Sequence, residues 1–306
     1  MKKILLVQYS QTGQLSRVMD ALAAPLRQDA SLSVTTLTLK PVPAYPHPWP
    51  VLRFIDTFPE AVALDGPELE PLGLAPGERF DLVILGYPVW FLSPALPVSS
   101  FLQLSQAREI LRGAPVVTVA ACRDMWVMAQ EQVKALLSQA GACLVGHVAL
   151  VDEAGSIGSF LATPVWALTG KPGPHWGGLI PRAGVAPEKI AACSRFGQRI
   201  AQALAADAPL DEGLLCGLGA VKVNTAVLAS EKAGRRSFQL WGSLLRWLGP
   251  QGSWQRKPAL LLYAMFLILL ILTVVPASFL LRWLLKPLLK QRLAAAEARY
   301  SWPSGS

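Results

Sequence analysis

The stretch VQYSQTGQLSRVM, Val7 to Met19, decides how this chain is read. An apolar run, Ile4 to Val7, breaks into small polar residues around one glycine, and a helical pattern resumes at Leu15, Val18, Met19 and Leu22. Short apolar runs of this kind read as buried strands, and the 3.6-residue spacing behind it reads as a helix. The turn between them offers the hydroxyls of Ser10 and Thr12, a glycine that lets backbone come close, and a helix N-terminus whose first amides are unpaired and partly positive. A turn so built binds a phosphate group. It is not a triphosphate loop, because GxxxxGK[ST] is absent; an ordinary strand-to-helix turn is the competing reading.

Working outward, the same alternation repeats. Leu32 to Leu39, Leu82 to Leu85, Val116 to Ala120 and Leu144 to Leu150 read as further strands. Continuous apolar runs suit parallel strands covered on both faces. Helical segments lie between them: Val98 to Leu111, then Ala129, Val133, Leu136 and Leu137. A last helix opens at Pro187 and places Ile190, Cys193, Gly197, Ile200 and Leu204 on one face. Five strands separated by helices predict an α/β fold with a doubly wound five-stranded parallel sheet, whose ligands bind beyond the carboxyl ends of the strands. Two stretches depart from the pattern. Pro41 to Pro71, containing PVPAYPHPWP, is expected to be an extended insertion, and Asp152 to Pro187 an irregular one. Both are placed to roof a site or to be plain surface loops.

Two more loops fall at the ligand end. GYPVWFLSPALP, Gly86 to Pro97, follows the third strand and carries Trp90 and Phe91, on which a planar ring could stack. AACRDMW, Ala120 to Trp126, follows the fourth and adds Arg123 and Asp124. Three loops at three strand ends point to a ligand more firmly than any one of them.

Charge and hydropathy set the last third apart. The chain has 306 residues, is 52% hydrophobic and carries a net charge of +8. Residues 1–212 hold 16 Lys and Arg against 18 Asp and Glu, whereas 213–306 hold 12 against 2. Pro258 to Leu281, PALLLYAMFLILLILTVVPASFLL, has no charged residue and at about 1.5 Å per residue is long enough to cross roughly 30 Å of hydrocarbon. The cations around it suit anionic lipid headgroups; with no basic stripe in the body, nucleic acid is not an expected partner. A single span and a re-entrant anchor kinked at Pro276 remain open, because cations flank both ends. The expected units are a body over 1–206 with insertions at 41–71 and 152–186, a basic amphipathic linker over 207–257, a membrane segment over 258–281 and a basic tail over 282–306. The apolar stretch behind MKK is too short for a signal peptide, which predicts a body on the cytoplasmic face of the inner membrane. Cys122, Cys143, Cys193 and Cys216 show neither CxxC spacing nor metal-ligand spacing, so no metal site is expected.

SQTG after the first strand, GYPVWF after the third and the polar loop after the fourth resemble the FMN-binding loops of flavodoxins and flavodoxin-like NAD(P)H:quinone reductases. The resemblance covers about residues 1–150. It implies that Ser10, Gln11, Thr12, Gly13, Gln14 and Leu15 hold the FMN phosphate, that Pro88, Val89, Trp90 and Phe91 flank the isoalloxazine, and that Ala121, Cys122, Arg123 and Asp124 cover its far side. A narrower likeness, carried by YSQTGQL, AYPHPWP, VWFLSPALP, ACRDMWVMAQE and ATPVWALTGK, is to the dialkylresorcinol condensing enzyme family of bacterial lipid pathways. It implies action beside a ketosynthase, on a lipidic or quinone-like ring, converting an alkyl cyclohexanedione to a resorcinol. Such a reaction removes two hydrogens, and Tyr87, Arg123 and Asp124 are the catalytic candidates near the ring, Asp124 as base and Arg123 against enolate charge. The competing reading for Arg123 and Asp124 is a loop ion pair or contact with the cofactor alone. The alternative function is a membrane-tethered electron carrier or quinone reductase, with NAD(P)H as reductant; a scaffold without flavin is a third.

Overall fold

Successive side chains of a strand point to opposite faces, and the first strand shows it directly. Ile4 and Leu6 enter one buried cluster, Leu5 and Val7 another, and all four are within 1% of complete burial. The computed structural model describes residues 1–152 and 155–304; the side chains of 155–157, 159–161, 271, 272 and 274–289 lie outside that description. In chain order the elements are β1 (Lys2–Gln8), α1 (Gln14–Gln28), β2 (Leu32–Thr38), β3 (Pro41–Val42), α2 (Val51–Ile55), α3 (Phe58–Ala63), β4 (Glu68–Leu69), β5 (Leu82–Trp90), β6 (Ser93–Pro94), α4 (Leu96–Gln103), α5 (Ser105–Leu111), β7 (Pro115–Cys122), α6 (Val127–Gln139), β8 (Cys143–Val151), α7 (Gly155–Thr169), α8 (Pro187–Ala191), α9 (Ser194–Ala205), α10 (Thr225–Leu248) and α11 (Lys257–Ser301).

The five long strands are parallel and lie in the order β2-β1-β5-β7-β8. Counting only those strands, the order is 2-1-3-4-5, that of flavodoxin-like doubly wound sheets. The order reverses between β1 and β5, so the crevice for a ligand opens beyond Gln8 and Gly86, which pair across it. Helices α1 and α9 cover one face of the sheet; α4, α5 and α6 cover the other. Where α1 crosses α9 the backbones nearly touch: a Cβ on Gly197 would lie 1.9 Å from the carbonyl oxygen of Leu22. Only a glycine permits that crossing.

The expected insertions are more ordered than their composition suggests. The 41–71 segment contains a two-stranded antiparallel pair, β3 with β4, and the short helices α2 and α3. In the second, expected to be irregular, Gly155–Thr169 is helical despite Pro164. The helix expected from Pro187 is broken in two at Ala192 and Cys193.

The tail differs most from expectation. The body does not end at 206, because Leu214, Leu215, Ala220, Val221 and Val223 join the core cluster under α1 and α9. These residues also guard the free edge of the sheet: the β8 amide of Ala149 donates to Ala220 O at 2.9 Å, and that of His147 donates to Ser304 Oγ at 2.6 Å. An edge strand with unpaired amides is an aggregation hazard, and covering it removes the hazard. The expected linker holds the amphipathic α10, packed along α3.

Among the described residues no helix is long and apolar enough to cross a membrane. The expected span over 258–281 is therefore not shown, and within it the side chains of 271, 272 and 274–281 fall outside the described residues. Its first part lies half against the body: Leu260 and Tyr263 are buried with Phe58 and Leu245, while Leu261, Leu262, Met265, Ile268 and Leu269 are exposed. Arg256 anchors this end. Its guanidinium is fully buried, lies 2.8 Å from Asp56 Oδ1 and grips Glu60 with two nitrogens at 2.9 and 3.0 Å. The far end returns to the same body, where Tyr300 enters the core and Lys134 Nζ donates to Trp302 O at 3.1 Å. The expected C-terminal tail is thus docked.

Candidate functional site

Gly13 opens α1 in a left-handed conformation (φ 75°), and nothing stands within 4 Å of where its Cβ would be. No side chain caps α1, and its first turn has no acidic residue. Thr12 Oγ1 lies 3.5 Å from the Gln14 amide, at the limit of a hydrogen bond. The first-turn amides of an α-helix have no partner within the helix, and here no side chain caps them. Ser10, Gln11, Thr12 and Gln14 are half-buried and Leu15 is buried, anchoring the turn. The Gln11 amide donates to Pro46 O at 2.9 Å, and Gln14 Oε1 accepts from the Val185 amide at 2.8 Å. The two insertions therefore close on the turn from both sides. Beside it a cleft of about 400 Å³ is lined in part by Gln14 and by Arg17 and Arg182, whose guanidinium groups add positive charge.

At the end of β5 the chain does not form an open loop. Val89 pairs with Pro94 and Trp90 with Ser93, so β5 and β6 make a tight hairpin whose two turn residues, Phe91 and Leu92, have φ of 50° and 60°. Two-residue hairpins demand such angles and favour Asn-Gly. Holding two bulky residues there costs on the order of 1–2 kcal/mol each, offset by packing. The hairpin sends its two rings apart. Trp90 meets Tyr9, Tyr45 and Trp49 at centroid distances of 5.7, 5.2 and 5.8 Å, each nearly perpendicular. Phe91 turns the other way, 5.1 Å from Phe54 and 5.9 Å from Phe58. Phe91 therefore packs with Phe54 and Phe58 of the first insertion and, at 6.1 Å, with Phe238 of α10, on the side away from Trp90. Trp90, half-buried Pro88 and Val89 stay at the ligand end. Trp49 also receives cover from the second insertion, its amide donating to Ala167 O at 2.9 Å.

The third loop leaves β7 at Ala121 and Cys122. Burial pushes the Cys122 thiol well up, and the carboxylates of Glu231 and Asp124 push it the same way, so it is a neutral thiol. Arg123 is pushed down to about 10 by burial, while Asp152 and then Asp124 pull it back. It belongs to a charge cluster with those two acids. Asp152 Oδ2 in turn accepts from the Gly184 amide at 2.9 Å, next to the Val185 amide that holds Gln14. The first and third loops are thereby linked through one segment. Asp124 receives a hydrogen bond from the side chain of Asn224. Asn224 also caps α10 through the Ala226 amide at 3.0 Å, which fixes α10 against the loop.

Tyr87 is enclosed in the interior, where Cys122 and Glu231 act on its phenol electrostatically. It is fully buried, its hydroxyl donates to Gln130 Oε1, and Gln130 donates to Thr118 Oγ1 at 3.0 Å, which lies 2.9 Å from His147 Nδ1. The tyrosine is part of an interior polar chain under α6, and burial raises it well above its ordinary value.

Sequence reasoning missed Glu231. On α10, fully buried, it reaches the N-terminus of α6, where Oε1 accepts from the Met128 amide at 2.6 Å. Burial pushes its carboxyl up to about 8, with Asp124 adding to the shift and Met128, Arg235 and Lys232 opposing it. The one available signal is composition: residues 213–306 hold only two acids, Glu231 and Glu297, among 12 cations.

Strand order and three ligand-end loops define a flavodoxin-like doubly wound α/β protein. No family model matches the chain, and no curated protein matches it. Among solved structures the chain is similar to a flavoprotein in complex with FMN from Lactobacillus acidophilus, at 16% identity over 49% of this chain and 93% of that one, with a TM-score of 0.38. It is similar also to a flavodoxin from the domain Archaea (11% identity, 67% and 99% covered, TM-score 0.36) and to oxidised flavodoxin 1 from Bacillus cereus (14%, 64% and 95%, 0.35). Scores this low add nothing to the strand order, which defines the fold by itself.

Proposed function

We propose that the protein is an FMN-dependent oxidoreductase of the membrane surface, which takes two hydrogens from an alkyl cyclohexanedione and yields a dialkylresorcinol beside a ketosynthase. The observation that carries the reading is the uncapped turn Ser10 to Leu15 at the switch point of the sheet, closed on both sides by insertions. Its residues fit FMN: open space at Gly13 and free first-turn amides for the phosphate, Trp90 and Val89 on one side of the crevice, Ala121 and Cys122 on the other. Bound FMN supplies a two-electron acceptor at its N5. The chain's own work is to exclude water and position the ring, which Tyr9, Tyr45, Trp49 and Trp90 do as an aromatic wall. Asp124, oriented by Asn224, is the base for the acidic proton between the two carbonyls. Insertions over the crevice favour an enzyme over an electron carrier, whose flavin edge has to stay open to a partner.

The lipid character of the substrate is supported by the outer surface. Leu240, Leu244 and Trp247 form one stripe of α10 and are 74%, 42% and 80% exposed; five apolar residues of α11 are at least half exposed. Large apolar residues exposed in this number suit a membrane or protein contact, and the basic excess of 213–306 favours anionic lipid on the cytoplasmic leaflet of the inner membrane.

The test is anaerobic mixing of the FMN-loaded full chain, in anionic vesicles, with a 2,5-dialkylcyclohexane-1,3-dione. Bleaching of the oxidised flavin band with one resorcinol formed per flavin is expected. Unchanged flavin with NAD(P)H as the sole reductant that bleaches it would point instead to the quinone reductase alternative.

A further inference from the structure

Two polar atoms on one face of α10 lack partners. Glu231 is completely buried, yet Oε2 makes no hydrogen bond, and Arg235 Nη1, one turn later, is buried without one. The two groups have opposite charge and i,i+4 spacing, which ordinarily joins them on a helix surface. Here no ion pair forms between them. Leaving a buried polar atom unsatisfied is costly, and native proteins seldom do so without a reason such as a ligand.

The neighbourhood says what kind of ligand fits. Helix α10 lies across the second and third loops: a Cβ on Gly234 would be 3.3 Å from Leu92 of the hairpin, and Glu231 reaches the Met128 amide at the start of α6. We propose that Glu231 Oε2 and Arg235 Nη1 are a two-donor site for a carbonyl or enolate oxygen of the substrate. Glu231 Oε1 is already an acceptor for Met128, so a proton on the carboxyl resides on Oε2, where it is a buried donor with no acceptor. A buried carboxyl kept neutral in this way donates to an oxygen that gains negative charge, and the guanidinium beside it adds a second donor of fixed charge. Asp124 and the Cys122 thiol from the third loop, Tyr87 from β5, and Lys232 and Arg235 from α10 are the ionisable groups that act on it or feel it. Burial dominates and favours the neutral form, and Asp124 adds to it. The ligand class is an enolisable cyclic 1,3-dione, whose two oxygens share one negative charge on ionisation.

This inference rests on the oxidoreductase reading for its substrate but not for its binding measurement. The full chain, with and without FMN, is titrated with an alkylated cyclohexane-1,3-dione by tryptophan fluorescence between pH 6 and pH 9, as wild type, Glu231→Gln, Glu231→Ala and Arg235→Met. Wild-type affinity is expected to fall about tenfold or more as pH rises through about 8. Glu231→Gln, which keeps a donor of the same shape, binds with no such pH dependence. Glu231→Ala and Arg235→Met each bind about tenfold or more weakly at pH 6. Infrared difference spectra of the FMN-free protein at neutral pH are expected to show a protonated carboxyl band that Glu231→Gln lacks. Equal binding and an equal pH profile in all four proteins, or the absence of that band, overturns the donor pair. A wild type that binds the dione but retains no FMN keeps the donor pair and removes the oxidoreductase.

Discussion

His147 and Glu231 are buried ionisable side chains that pull stability in opposite directions with pH. Burial pushes His147 down to about 3 from its ordinary 6.5, so between those values the unfolded chain binds the proton and the folded one does not. Stability from this group therefore rises with pH up to about 6.5. Glu231, held up at about 8 against 4.5, keeps its proton in the folded state after the unfolded chain has lost it, so its contribution falls between those values. Each slope is about 1.4 kcal/mol per pH unit. The two cancel between pH 4.5 and 6.5, and stability declines from there to pH 8. Urea unfolding across that range is expected to show a plateau followed by a fall, and Glu231→Gln to abolish the fall; a wild type that gains stability from pH 6.5 to 8 contradicts the assignment. At this scale the turn that opens α1 was legible, because Gly13 and its hydroxyl neighbours are local signals. Glu231 was not, because its partner Met128 is far away in sequence and its own surroundings read as lipid-facing.

Among the elements, α1 and α9 show how close packing overrides propensity. Exchanging a helix glycine for alanine ordinarily gains about 1 kcal/mol, yet a Cβ on Gly197 meets the Leu22 carbonyl at 1.9 Å. Backbone cannot step aside as a side chain can, and overpacking costs about 1–3 kcal/mol. Gly197→Ala is therefore expected to lower stability by about 1–3 kcal/mol in chemical denaturation; a more stable variant shows that the helices do not cross so closely. The five strands were legible because parallel strands buried on both faces are uninterrupted apolar runs. The β5–β6 hairpin was not, because Phe91 and Leu92 adopt left-handed angles without a turn residue to announce them. Helix α7 was concealed by its glycines and Pro164, which read as loop signals.

For the whole molecule, the tail is both a cover and a surface. Residues 214–223 and 300–304 close the β8 edge and the core, while α10 brings Glu231 to the third loop and turns Leu240 and Trp247 outward. Composition showed a basic, apolar C-terminal third but not its docking, since a helix apolar all round gives no sign of which face the body takes. Arg256, one of the cations assigned to lipid, is the buried clamp on Asp56 and Glu60.

Binding of FMN at the turn before α1 is the claim on which the rest depends. The most direct measurement is a titration of the full chain with FMN and, separately, riboflavin, followed by flavin fluorescence, with Thr12→Asp and Trp90→Ala beside the wild type. The account predicts one FMN per chain, much weaker binding of riboflavin, loss of FMN by Thr12→Asp through repulsion of the phosphate, and weakened binding by Trp90→Ala. FMN binding that survives Thr12→Asp unchanged, or riboflavin bound as tightly as FMN, would contradict it.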